Sequence, residues 1–133
     1  MIEIPFPEQK HHFIIIPGLV YRDRKQRIVN FLIDTGASTT MVDPALMKSL
    51  GYTEKSQEYL EPATVHSPAG SEKGYKVKVQ KILIHSAECV IPDLEVVCIR
   101  PERNVEALLG LNFLRHFHYC IDHQKRRLTL KAF

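Results

Sequence analysis

FLIDTGASTT, residues 31–40, runs from three apolar residues straight into an aspartate and then into small residues, most of them bearing hydroxyls. Phe31-Leu32-Ile33 reads as the end of a buried strand. An ionised carboxylate leaving water there is costly unless it is paired or hydrogen-bonded. Asp34 therefore needs a partner or a chemical role. Gly36 permits close backbone approach or positive φ, and Thr35 can hydrogen-bond nearby backbone. With Ala37 and Ser38 keeping the flank small, the turn is built to hold the acid rigidly. A second apolar run, Ala107-Leu108-Leu109-Gly110, ends in a glycine about 75 residues later. The spacing suggests two strands crossing, with Asp34 displayed at a loop between them.

Outward from that stretch, Phe13 to Tyr21 and Arg27 to Ile33 are rich in β-branched and aromatic residues. They flank a polar turn, Arg22 to Gln26, and so read as a hairpin. Asp43 to Gly51 has an N-cap acid, proline at the first helical position and a terminal glycine, which predicts a short helix over Pro44 to Leu50. Tyr59 to His66 and Lys73 to His85 read as two arms of a longer hairpin whose tip is Ser67 to Ser71. Tyr75, Val77 and Val79 alternate with Lys76, Lys78 and Gln80, so one face is apolar and the other wet. Cys89 to Ile91 and Leu94 to Ile99 are strand candidates split by Pro92-Asp93. Gly110 opens a short helix through about Phe117, and Tyr119 to Asp122 and Arg127 to Leu130 close the chain. The sum is mostly β with two short helices.

At 133 residues the chain fits one domain, 1–133, with neither linker nor repeats. Hydrophobic residues make up 44% and charged ones 25%, which argues against wholesale disorder. A net charge of +3, with Lys125-Arg126-Arg127 the only tight basic run, is too weak to imply nucleic acid. No apolar run is long enough for a membrane span, and the N-terminus lacks the basic start and apolar stretch of a secretion signal. Cys89, Cys98 and Cys120 form no Cys-x-x-Cys pair, and an odd count without an export signal points to reduced thiols and a cytoplasmic protein.

Asp34-Thr35-Gly36-Ala37 with Ser38, the hairpin over 59–85, and Leu108-Leu109-Gly110 followed by Leu111-Asn112-Phe113-Leu114 together resemble the retropepsin-like aspartic proteases. These single-lobe relatives of pepsin include the retroviral proteases and the cellular enzymes of the DNA damage-inducible type. The resemblance covers about Phe13 to Leu130. It implies a closed or partly closed β-barrel of the acid protease fold and a two-fold homodimer, since no other aspartate (Asp23, Asp43, Asp93 or Asp122) is followed by Thr-Gly or Ser-Gly. One chain then supplies half of a catalytic dyad that hydrolyses peptide bonds in a peptide or protein substrate, with no metal or organic cofactor. By the same resemblance Asp34 is catalytic, Thr35 locks the two loops across the dimer axis, and Gly36 meets substrate backbone. Ser67, Pro68, Ala69 and Gly70 form the tip of a flap that closes over substrate.

Ala37 stands where pepsin-like enzymes often carry serine, so one hydrogen bond to the carboxylate is missing and the expected pH optimum is mildly acidic to near neutral. The termini, Met1 to Pro7 and Leu128 to Phe133, are candidates for a dimer sheet, although Pro5 and Pro7 each remove a donor. The helix Pro44 to Leu50 resembles the cellular and bacterial versions rather than minimal retroviral ones. His116, His118, Cys120 and His123 raise a metal site, but without the spacing of a known zinc motif the plain reading is preferred. His11-His12 reads as a solvated approach to the first strand. The rival function is a non-catalytic dimerisation or peptide-binding module on the same fold.

Overall fold

The computed structural model describes residues 1–8, 13–68, 70–102 and 104–133. His11, His12 and Ala69 lie outside them, so the readings placed on those residues have no structural counterpart. The described strands are β1 (Ile2–Pro5), β2 (Ile15–Arg22), β3 (Lys25–Ile33), β4 (Thr40–Val42), β5 (Tyr59–Ser67), β6 (Gly70–Ile84), β7 (Val90–Cys98), β8 (Ala107–Leu109), β9 (Phe117–Asp122) and β10 (Arg127–Ala132). Helices α1 (Pro44–Leu50) and α2 (Leu111–Leu114) complete the set.

Six strands close into a barrel in the order β2-β3-β8-β4-β7-β6, with β6 returning to β2 through Gly18↔Ile84 to Tyr21↔Lys81. Closure leaves the barrel without a free edge. β6 is long enough at 15 residues to do two jobs: its first part pairs with β5, its last part with β2, and β7 runs along its other side. β5 thus hangs outside the closed ring. One buried cluster fills the barrel with Ile16, Val20, Phe31, Ile82, Ile84 and Leu109. The same cluster extends through Phe113 to Ile4, Leu128 and Leu130 of a second sheet, β1-β10-β9.

Local chemistry explains most elements. Asp43 caps α1 by accepting from Ala45 N–H (2.9 Å), Pro44 occupies the first turn, and Gly51 ends the helix at φ 97°. Asp23-Arg24 makes the β2–β3 turn, with Asp23 at φ 54°. Several sequence readings need correction. β7 is continuous through Pro92-Asp93, where the sequence suggested a split. The register Val79↔Leu94 resumes as Lys81↔Pro92, skipping Gln80 and Asp93. Buried residues switch phase there, from Val77 and Val79 to Ile82 and Ile84 on β6 and from Leu94 and Val96 to Ile91 on β7. Both strands turn their apolar faces together, with Asp93 at φ 56° absorbing the change. The tip of the long hairpin is tighter than the five residues expected, because Ser67 already pairs with Gly70. Helix α2 ends at Leu114, since Phe117 starts β9. The chain termini pair with each other within one chain, Ile2↔Leu130 to Pro5↔Arg127.

Candidate active site

Strands β3 and β8 lie side by side and parallel, Phe31↔Ala107 to Ile33↔Leu109, rather than crossing as the sequence suggested. The ladder runs one residue further, because Asp34 N–H donates to Leu109 O (3.1 Å). The chain then winds around its own acid: Gly36 N–H donates to Asp34 Oδ1 (2.9 Å) and Ala37 N–H to Asp34 O (3.2 Å). Asp34 ends half-buried, with Thr35 and Gly36 exposed beside it.

The start of α2 plugs into this turn. Ala37 O accepts from Leu111 N–H (2.8 Å) and Ser38 O from Asn112 N–H (3.1 Å). Gly110 has to be glycine for this to close: a Cβ there would lie 2.7 Å from the Thr39 carbonyl carbon and 2.9 Å from Ala37 O. Its N–H donates to Thr40 Oγ1 (3.1 Å), and that hydroxyl donates to Asn112 Oδ1 (2.8 Å), which also accepts from Thr40 N–H (2.9 Å). Asn112 Nδ2 reaches on to Glu95 O on β7 (2.8 Å). Thr40 and Asn112 therefore clasp three segments together, and Thr40 is fully buried.

The structure thus brings together Asp34, Thr35, Gly36, Ala37 and Ser38 with Leu108, Leu109 and Gly110. Ser67, Pro68 and Gly70 sit apart, at the end of the β5–β6 arm. Gly74 marks where that arm leaves the barrel, because a Cβ on it would lie 2.2 Å from Cys98 O. Sequence reading assigned no role to Thr40 or Asn112. The available signals were a hydroxyl opening a short apolar strand and an amide inside the apolar run 111–114. A pocket of about 270 Å³ adjoins the acid, lined by Phe13, Ile14, Leu32, Ile33, Asp34 and Glu102. Among the described residues no three His, Cys, Asp or Glu side chains gather as a metal site would require, and the His118 ring packs tilted against Phe133 with centroids 4.1 Å apart.

A single-lobe closed barrel carrying Asp-Thr-Gly-Ala against an apolar-apolar-glycine turn defines the retropepsin class of aspartic proteases. Residues 24–116 match the family described as gag-polyprotein putative aspartyl protease, and the chain belongs to that family. The DNA damage-inducible protein 1 of Neurospora crassa is 28% identical over 109 residues, which are 78% of this chain and 23% of that protein. The chain thus spans about a quarter of that relative. A retropepsin-like aspartic protease from Rickettsia conorii shares the fold with TM-score 0.69 and 21% identity, over 96% of this chain and 89% of that one. The EIAV protease, solved with an inhibitor, gives 0.53 and 19% over 77% and 86%. Simian foamy virus protease gives 0.50 and 12% over 76% and 91%.

Proposed function

We propose that the chain is an endopeptidase that works as a two-fold homodimer, each copy contributing one Asp34. The observation that carries this is the Asp34 turn itself: a half-buried carboxylate fixed by Gly36 N–H and interlocked with residues 110–112. A turn that served folding alone has no need to wedge a carboxylate between two strand ends. Two such carboxyls in contact cannot both ionise cheaply, so the pair holds one proton between them. The ionised member takes a proton from a water while the protonated member hydrogen-bonds the scissile carbonyl oxygen. The water oxygen bonds to the carbonyl carbon. The carbon–nitrogen bond then breaks as a proton passes to the leaving nitrogen.

In this reading Thr35 and Gly36, exposed beside the acid, meet the partner's loop and the substrate backbone. The β5–β6 arm, with Ser67, Pro68 and Gly70 at its end, closes over an extended peptide. No helix among the described residues is long and apolar enough to cross a membrane. The test is cleavage of a denatured protein and a peptide library from about pH 3 to about pH 8, with Asp34→Asn at matched concentration and the solution mass recorded. The expected result is a dimer whose cleavage falls about a thousandfold or more in the variant. A confirmed dimer that cleaves nothing sinks the reading.

A further inference from the structure

The pocket beside Asp34 has an uneven chemistry. Four of its walls are apolar: Phe13 and Ile14 ahead of β2, and Leu32 and Ile33 at the end of β3. These walls are tied to each other, because Ile33 N–H donates to Ile14 O (2.8 Å). The rest is Asp34 and one further carboxylate, Glu102, from the loop between β7 and β8. In that loop Val105 N–H donates to Glu102 O (3.1 Å), and Asn104 has φ 66°. Glu102 is exposed and forms no salt bridge among the described residues. Arg100 faces the adjoining pocket, where Glu72 and Glu102 outnumber it two to one. Among the described residues, those lining the space next to the acid include two carboxylates and no lysine or arginine.

We infer that this pocket takes a long aliphatic side chain ending in a cation, lysine or arginine, and that Glu102 is the specificity-determining residue. The inference rests on the endopeptidase reading. The methylene stem lies along Phe13, Ile14, Leu32 and Ile33, while the cation reaches the carboxylate of Glu102 at the solvent side. Because the dimer repeats the pocket across its axis, the residues on both sides of the scissile bond meet the same chemistry.

Three peptides identical except at the two residues flanking one central bond, carrying lysine, norleucine or glutamate there, test this against wild type, Glu102→Gln and Glu102→Lys. Wild type is expected to favour lysine over norleucine by about 5-fold in kcat/KM, the scale of a partly exposed ion pair. The preference should shrink at about 1 M salt, vanish in Glu102→Gln and turn toward glutamate in Glu102→Lys. Norleucine preferred by wild type, or a lysine preference unchanged in Glu102→Gln, overturns the inference. If wild type cleaves none of the three, fluorescence anisotropy with the same peptides separates the two ideas. A lysine preference in binding that Glu102→Gln abolishes upholds the pocket, and the endopeptidase reading then stands or falls on the library test with a confirmed dimer. Equal binding, or none, overturns the pocket.

Discussion

Residues 34–40 are bonded across to residues 109–112 at almost every turn of the chain, whereas the far end of the β5–β6 arm, residues 61–66 and 70–73, buries no side chain. The arm keeps its shape by strand pairing and by exposed contacts such as His66 Nδ1 with Ser71 Oγ (2.7 Å) and Lys76 with Glu61 (3.3 Å). A buried polar clasp is costly to break, because each orphaned group forfeits its hydration as well as its bond. Exposed pairs return to water when broken and contribute little. The two regions therefore differ in stiffness for a physical reason: the acid is fixed, and the arm is held by bonds that solvent can replace.

Thr40→Val attacks the stiff side most directly. The isosteric change leaves Gly110 N–H without its acceptor in a buried site and removes one donor from Asn112 Oδ1. A loss of about 2 kcal/mol in urea unfolding is expected. In the proposed enzyme, kcat should fall more than KM rises, because the variant loosens the loop that fixes Asp34. A loss under about 0.5 kcal/mol would mean that the clasp is not what holds the two turns together.

A second clasp, at the barrel end of the hairpin, should cost somewhat less. Tyr52 is fully buried; its hydroxyl donates to Tyr21 O (2.5 Å) and accepts from Gln80 N–H (2.9 Å) at the point where β6 changes phase. Tyr52→Phe orphans both groups, at about 1 to 2 kcal/mol. Burial pushes the Tyr52 hydroxyl up to about 12, so the folded state keeps its proton where an unfolded tyrosine, at about 10, loses it. The contribution is whole below about pH 10 and is lost as pH rises toward about 12. Cys98, also pushed up to about 12 by burial, works in the same direction. Unfolding followed from neutral pH to pH 12 should therefore decline less steeply in Tyr52→Phe than in wild type. Equal slopes would remove Tyr52 from the alkaline transition.

What the sequence showed and what it hid divide along the same line. The hairpin of β2 and β3, helix α1 and the Asp34 turn were legible because their signals are local: alternation, a cap with proline, a glycine after an acid. The clasp was not, since Thr40 and Asn112 are 72 positions apart. Periodicity reports which face a residue occupies, never which distant group it meets. β4 escaped notice because three residues carry no period. Pro92-Asp93 looked like a break because turn residues there serve a strand that changes face without ending. The termini showed their strand character, but their pairing with each other was not written in either alone.

The arm supplies the smallest and sharpest test of the contrast. Val65 lies on β5 opposite Glu72, half-exposed, while Val77 lies on β6 opposite Tyr59 and is fully buried. The same truncation at the two sites removes the same two methyl groups, so any difference in cost comes from surroundings. Val65→Ala should lose no more than about 0.5 kcal/mol, as a surface change does. Val77→Ala should lose several times that, because its cavity opens inside a close-packed cluster. In the proposed enzyme Val65→Ala should still register, as a higher KM with kcat nearly kept, since an arm over the substrate contributes to binding more than to the fold. If urea unfolding finds the two truncations equally costly, the arm is as much a part of the core as the barrel, and closure over a peptide would have to break that packing in every turnover.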